Sequence, residues 1–211
     1  MLKAKVEVFA PTDGMALVYR EADGRKAVGL DFSTTDGLRL AYRLPCKEMM
    51  LRALDVDKAD TEGEELSAKL RVRTAPDLST LDLISYRGRL YEVTSVDQGR
   101  QTSFLYMSEL ATDGTVKLIG STATTDSHHI TRRVAAPPKT VYVRRSRNAS
   151  KAVFTTSAAY QRPTIAIRIR ACDYGHEETL ERDGITYGVR STSKSGEWVD
   201  LICEQRGGSN G

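Results

Sequence analysis

The chain is poor in the residues that define several protein classes. Across 211 positions it has three cysteines, six prolines, one tryptophan and 7% aromatic residues. Cys46, Cys172 and Cys203 show no paired spacing. A disulfide scaffold and a four-cysteine zinc site are therefore not expected. No apolar run approaches the ~20 residues needed to cross a bilayer. The opening Met-Leu-Lys-Ala-Lys-Val-Glu-Val lacks the uninterrupted apolar core of a signal peptide. The expectation is a soluble protein from a reducing compartment, without a membrane partner. No phosphate loop or G-x-G-x-x-G fingerprint occurs, and no G-x-S-x-G stands between a strand pattern and a helix pattern as a nucleophile elbow would. Nothing in the sequence therefore favours catalysis or a cofactor, and the chain is read as a non-enzyme. His128-His129 and the Cys172/His176 spacing are the only hints of metal ligands. Neither has a second pair to complete a site, so no metal is expected.

What is present is charge and strand pattern. The composition is 40% hydrophobic and 28% charged, with a net charge of +3. That balance hides an asymmetry. Residues 1–118 hold 17 Lys and Arg against 19 Asp and Glu, whereas residues 119–211 hold 14 against 9. The two halves present opposite fields to a partner.

Alternating apolar and polar residues over Lys3–Phe9, Lys69–Arg73, Thr140–Arg144 and Ile165–Ala171 describe half-buried strands. Asp-Gly occurs five times, at residues 13–14, 23–24, 36–37, 113–114 and 183–184, and favours tight hairpins. One segment, Lys47–Leu54, has the propensity and apolar spacing of a helix, with Pro45 near its start. The expected class is all-β, as small barrels or sandwiches with one short helix.

Leu70–Glu109 and Ile167–Glu204 share an order of features. Arg71 and Arg73 correspond to Arg168 and Arg170 on alternating strand positions. Gly88 and Tyr91 correspond to Gly184 and Tyr187 in a G-x-x-Y turn and strand. Val93 and Ser95 match Val189 and Ser191. Each copy then ends in an apolar strand closing on a glutamate, with Trp198 in the second. The glycine supplies a turn conformation that a Cβ resists. The tyrosine can bury its ring and keep its hydroxyl at the edge. The pattern points to tandem duplication. The expected division is a β domain over residues 1–119 that ends in a strand at Thr115–Ile119. That strand pairs back across the Asp113-Gly114 turn. A linker over 120–139 follows, ending in Pro137-Pro138, then a second β domain over 140–206 and a tail over 207–211.

These two segments resemble the head–tail joining proteins, also called head closure or stopper proteins, of long-tailed phages. The resemblance rests on the R-x-R strand and the G-x-x-Y-x-V hairpin, carried by Arg71, Arg73, Gly88, Tyr91 and Val93 and again by Arg168, Arg170, Gly184, Tyr187 and Val189. It covers about 40 residues of each half. It implies a ring between the portal–adaptor complex and the tail, around double-stranded DNA, in the neck of a virion. The partners implied are copies of the chain, a portal or adaptor ring protein and a tail terminator or tail tube protein. A hexamer of two-domain chains would present about twelve quasi-equivalent domains, able to meet a twelvefold partner and a sixfold tail. A tail terminator and a standalone nucleic-acid-binding barrel are the competing readings. For the terminator, Val141–Arg145 is a candidate edge strand for augmentation.

Two charged stretches are candidates for function. Glu48–Glu65 contains seven acids and two bases. Asp55, Asp57, Asp60, Glu62, Glu64 and Glu65 read as a self-repelling loop. They form either a channel-facing gating loop that repels DNA phosphates or a solvated surface. Arg132–Lys151 contains Arg132, Arg133, Lys139, Arg144, Arg145, Arg147 and Lys151 and no acid. It suits an acidic protein surface, including the first half of another copy, DNA phosphates or a plain solvated surface. Tyr142 is nearly its only aromatic, unlike a single-strand binder.

Overall fold

The computed structural model describes residues 9–21, 29–61, 65–125, 131–145 and 164–206. The fold is all-β, with 61% of the described residues in strands. Strands β1 (Met15–Glu21), β2 (Leu38–Met49), β3 (Ala68–Arg73), β4 (Leu83–Tyr86), β5 (Arg89–Gln98) and β6 (Thr102–Glu109) close a barrel in the order β1-β2-β3-β6-β5-β4. Helix α1 (Ala53–Thr61) lies between β2 and β3. A second six-stranded barrel uses β7 (Thr112–Ile119), β10 (Lys139–Arg144), β11 (Thr164–Arg170), β12 (Thr179–Arg182), β13 (Ile185–Ser195) and β14 (Trp198–Gln205). Between β7 and β10, β8 (Ser121–Thr125) and β9 (Thr131–Ala135) form a separate antiparallel pair.

Both barrels have one topology. Replacing β1, β2, β3, β6, β5 and β4 by β7, β10, β11, β14, β13 and β12 reproduces the neighbour order all the way round. Register makes the match residue by residue. Leu70 faces Leu105, as Ile167 faces Leu201. Tyr91 faces Ile84, as Tyr187 faces Leu180. The ladders of β5 and β13 both shift register between Val93 and Ser95 and between Val189 and Ser191, so each has a bulge at the same place. Each barrel buries the inward row of this alternation. Val18, Leu70, Ile84 and Leu105 fill the first core, and Leu118, Ile167, Leu180 and Leu201 the second. Tyr91 and Tyr187 are buried in both.

The turn between β4 and β5 shows why the repeat keeps its glycine. Arg87 and Gly88 have φ of 50° and 76°, and Asp183 and Gly184 have 52° and 78°. Two successive positive φ values make the two-residue hairpin turn whose twist suits the strands.

Several sequence expectations are corrected. Lys47–Met49 is strand, not helix, because these residues pair with Lys69–Arg71 of β3 and the barrel ladder outweighs local propensity. Pro45 lies inside β2, where the strand changes neighbour from β1 to β3. The helix begins at Ala53 instead. The amide of Arg52 donates to Asp55 Oδ2 at 3.2 Å, half of a capping box. Residues 120–139 are not a plain linker, since they hold the β8–β9 pair.

Thr115–Ile119 belongs to the second barrel, where β7 pairs with β10 and β12. The compact units are accordingly Met1–Arg25 with Ser33–Leu110, and Lys26–Phe32 with Ala111–Gly211. Asp113-Gly114 is not a turn but a bulge inside β7, with Gly114 at φ 87° opposite the shift between Tyr142 and Arg144. The strand containing Val141–Arg144 is not an edge, because β7 and β11 flank it. Finally, Glu109 faces Tyr91 and Gln205 faces Tyr187, so Glu204 matches Ser108 and the paired closing glutamates are offset by one.

Candidate functional site

The charged residues expected to carry function divide between barrel strands, α1 and the β8–β9 pair, and some of them are buried. In the first unit Lys69 on β3 and Asp55 on α1 meet at 3.0 Å. The Lys69 ammonium also lies 4.3 Å from the centre of the Tyr106 ring and 5.5 Å from that of Phe104. Burial would by itself lower the Lys69 pKa. The bonds to Tyr106 and Asp55 reverse that, and the group is held above its ordinary value. Burial likewise works to raise the Asp55 carboxyl, and the bonds from Lys69 and the Arg52 amide bring it below its ordinary value. These bonds latch the start of α1 to the barrel, and Ala59 packs inward behind it.

The other side of this segment is open. Met50 is 88% exposed and Leu54 79% exposed. Burial in the barrel core does not account for these two side chains. Asp57 and Asp60 lie on α1 and Glu65 just beyond it, whereas Glu62 and Glu64 lie outside the described residues. The acidic stretch is therefore a pinned helix over much of its length, not a loop throughout.

The R-x-R pairs take equivalent positions with different company. Arg71 donates to Thr102 Oγ1 at 3.2 Å and lies 5.7 Å from the Phe104 ring centre and 5.4 Å from that of Phe9. Arg73 is exposed. Arg168 is buried and makes two 2.7 Å bonds to the Asp200 carboxylate, the residue facing it on β14. Arg170 is buried and faces Trp198.

The basic stretch divides. Arg144 is buried, 4.5 Å above the Trp198 ring. Lys139 donates to the Asp173 carbonyl at 2.7 Å. Both are thus engaged in the fold of the second unit. Arg145 is exposed. Arg132 and Arg133 lie on β9, facing Thr124 and Ala123 of β8. Arg147, Lys151 and the His128-His129 pair lie outside the described residues.

Sequence reasoning missed a short arm. Residues 29–32 come between β1 and β2 in the chain but pack with the second unit. Leu30 and Phe32 are buried there, and the Phe32 ring centre is 5.6 Å from that of Trp198 at an edge-on 68°. The Gly29 amide donates to Asp173 Oδ1 at 2.7 Å. The only signal was a Leu and a Phe inside a stretch of turn residues.

Among the described residues no group of three His, Cys, Asp or Glu is placed to hold a metal ion. Burial pushes the Cys46 thiol up to about 11, with Asp13 adding to it, and the Cys203 thiol up to about 12. Such thiols are poor nucleophiles at neutral pH. Among the described residues no helix is long and apolar enough to cross a membrane. What the surfaces offer chemically is apolar and charged contact. Comparison with protein-family models, with curated proteins and with solved structures finds no match.

Proposed function

We propose that the chain is a structural connector of a tailed-phage or phage-derived neck. In this reading copies assemble into a ring, a hexamer in the favoured case, that joins a portal or adaptor ring to the tail and surrounds the DNA. The observation that supports it most is the repeat of one barrel topology, with R-x-R strand and G-x-x-Y hairpin at matching places in both copies. A chain with two equivalent modules suits a ring that must satisfy partners of different symmetry. The standalone nucleic-acid module is less well supported, because Arg144, Arg168 and Arg170 are buried within the second unit instead of lining an open groove.

Native mass spectrometry and electron microscopy of the full-length protein, alone and with portal and tail proteins of its particle, test this reading. The expected result is a closed ring of chains seated between those partners, with a central channel that admits a DNA duplex. A 23.3 kDa monomer that binds neither partner would overturn it.

A further inference from the structure

We infer that the outer face of the first barrel around Arg43, Lys47 and Arg73 is the surface that meets DNA phosphates, and that the matching face of the second barrel is closed to them. This rests on the ring reading above for the identity of the polyanion. It places the DNA-facing cations in the half of the chain with the acidic balance.

The two barrels carry cations at the same three places. Lys47 faces Arg71 across β2 and β3, as Arg144 faces Arg168 across β10 and β11. Arg73 faces Thr102, as Arg170 faces Trp198. In the second barrel all three are engaged or covered. Asp200 clamps Arg168, Arg144 lies over the Trp198 ring, and Arg170 is buried.

In the first barrel Lys47 and Arg73 are exposed, and so is Arg43, on the same side of β2 as Lys47. Leu44, Cys46 and Val72 alternate with these cations and are buried, which turns the cations outward. Arg43 and Lys47 stand about 13 Å apart along the strand. Among the described residues the ion pairs of the first unit use Arg20, Lys69, Arg87 and Arg89, and Arg43, Lys47 and Arg73 belong to none of them. Asp97 of β5 is an exposed acid that faces Phe104, and β6 separates it from the cations.

The strands limit what a partner can use here. Strand β3 pairs with β2 on one side and β6 on the other, so the middle of the face leaves no backbone edge for an extended peptide. The aromatic seat that holds residues 29–32 on the second unit is missing too. There Phe32 lies 5.6 Å from Trp198 and 6.2 Å from Tyr142, ring centre to ring centre. On the first barrel Thr102 stands in the place of Trp198, and Pro45 precedes Lys47 by two residues as Tyr142 precedes Arg144. Cations with neither an edge nor an aromatic seat suit a partner whose charge repeats along its length. The DNA backbone is such a partner and is bound without regard to sequence. Phe104 lies against Lys69 and Arg71 instead of standing free to stack on a base, which favours a duplex over a single strand.

The test is binding of the full-length chain to a fluorescent duplex of about two helical turns, followed by anisotropy from ~50 to ~200 mM salt. Lys47→Gln with Arg73→Gln is expected to weaken binding by about tenfold or more at ~50 mM salt. It should also flatten the slope of log affinity against log salt by about 2, since two phosphate contacts are gone. Arg87→Gln with Arg89→Gln removes the same charge from the same unit, at exposed side chains already paired with Glu48 and Glu109. It should change affinity by less than about threefold. Arg145→Gln, at an exposed cation of the second unit, should leave the slope unaltered. Matching unfolding midpoints show that the losses are of contact.

Wild-type affinity and slope in the Lys47→Gln/Arg73→Gln chain, or an equal loss in either of the other variants, would overturn the assignment. So would a wild-type chain that forms its ring and binds no duplex at low salt, and the ring reading would then stand. A chain that stays monomeric with every partner yet binds the duplex through this face would overturn the ring reading alone. Loss of an acidic neighbour protein with unaltered duplex binding would give the face to that protein and overturn the inference.

Discussion

Arg71 and Arg168 occupy equivalent positions in two barrels of one topology and are held in different ways. Each is on the third strand of its barrel and each faces the sixth. Across from Arg71 is Phe104, and across from Arg168 is Asp200. One arginine rests on aromatic rings and the other is clamped by a carboxylate. The inward neighbours did not diverge in this way, since Leu70 and Ile167 stay buried and apolar. The comparison separates what closes the barrel from what decorates it. Closure depends on the inward row and the register, where a one-residue slip would turn every apolar side chain outward. The outward row is free to exchange an aromatic contact for an ion pair.

That difference yields the largest expected effect. Arg168→Met removes the partner of a carboxylate that is mostly buried, so it should destabilise the second barrel by about 2–4 kcal/mol. Arg71→Met removes contacts with rings and one hydroxyl at a more open site and should cost about 0.5–1 kcal/mol. Urea unfolding of both variants makes the comparison. Adding Asp200→Leu to Arg168→Met should recover much of the loss, because the orphaned charge is gone. Equal costs at the two positions would show that the ion pair adds nothing beyond packing.

The hairpin glycines give the complementary case, where the copies should behave alike. Gly88 and Gly184 have nearly the same φ, and a Cβ at either would meet nothing within 4 Å. Alanine there costs only the strain of a left-handed backbone, about 1–2 kcal/mol. Gly88→Ala and Gly184→Ala should therefore shift unfolding by the same amount. A gap above ~1 kcal/mol between them would mean that the two turns are supported differently.

The repeat was legible because it is written in residues with a narrow physical job. Glycine with positive φ, a buried tyrosine and alternating apolar positions leave a trace that survives substitution elsewhere. The helix was misplaced because Lys47–Met49 has helix propensity and yet completes a ladder with β3, a pairing that depends on residues 20 to 24 positions away. Asp113-Gly114 looked like a hairpin turn because a bulge and a turn ask for the same backbone freedom. Reading it as a turn also moved β7 into the wrong barrel. The arm at 29–32 left almost no trace, since two apolar residues among turn formers do not name the surface they cover. At the candidate site the acids and bases were legible as charge. Their division into latch, core and open surface was not, because Lys69, Tyr106 and Trp198 decide it from other strands.

The latch itself gives the smallest effect, and its sign follows from the Asp55 carboxyl being held below its ordinary value. A lowered folded pKa means that the ionised form stabilises α1. That contribution is complete above the unfolded value of about 3.9 and is lost as pH falls through the lower folded value. Amide exchange of residues 53–61, corrected for intrinsic rates, should thus speed up by about two- to fivefold between pH 6 and pH 2.5, as for an ion pair worth about 0.5–1 kcal/mol. Asp55→Asn should show the faster exchange already at pH 6 and respond little to acid. The second barrel supplies the internal reference, because α1 belongs to the other compact unit. If acid loosened α1 equally in the Asn variant, the attachment of the helix would rest on Ala59 packing, and the ion pair would be incidental to it.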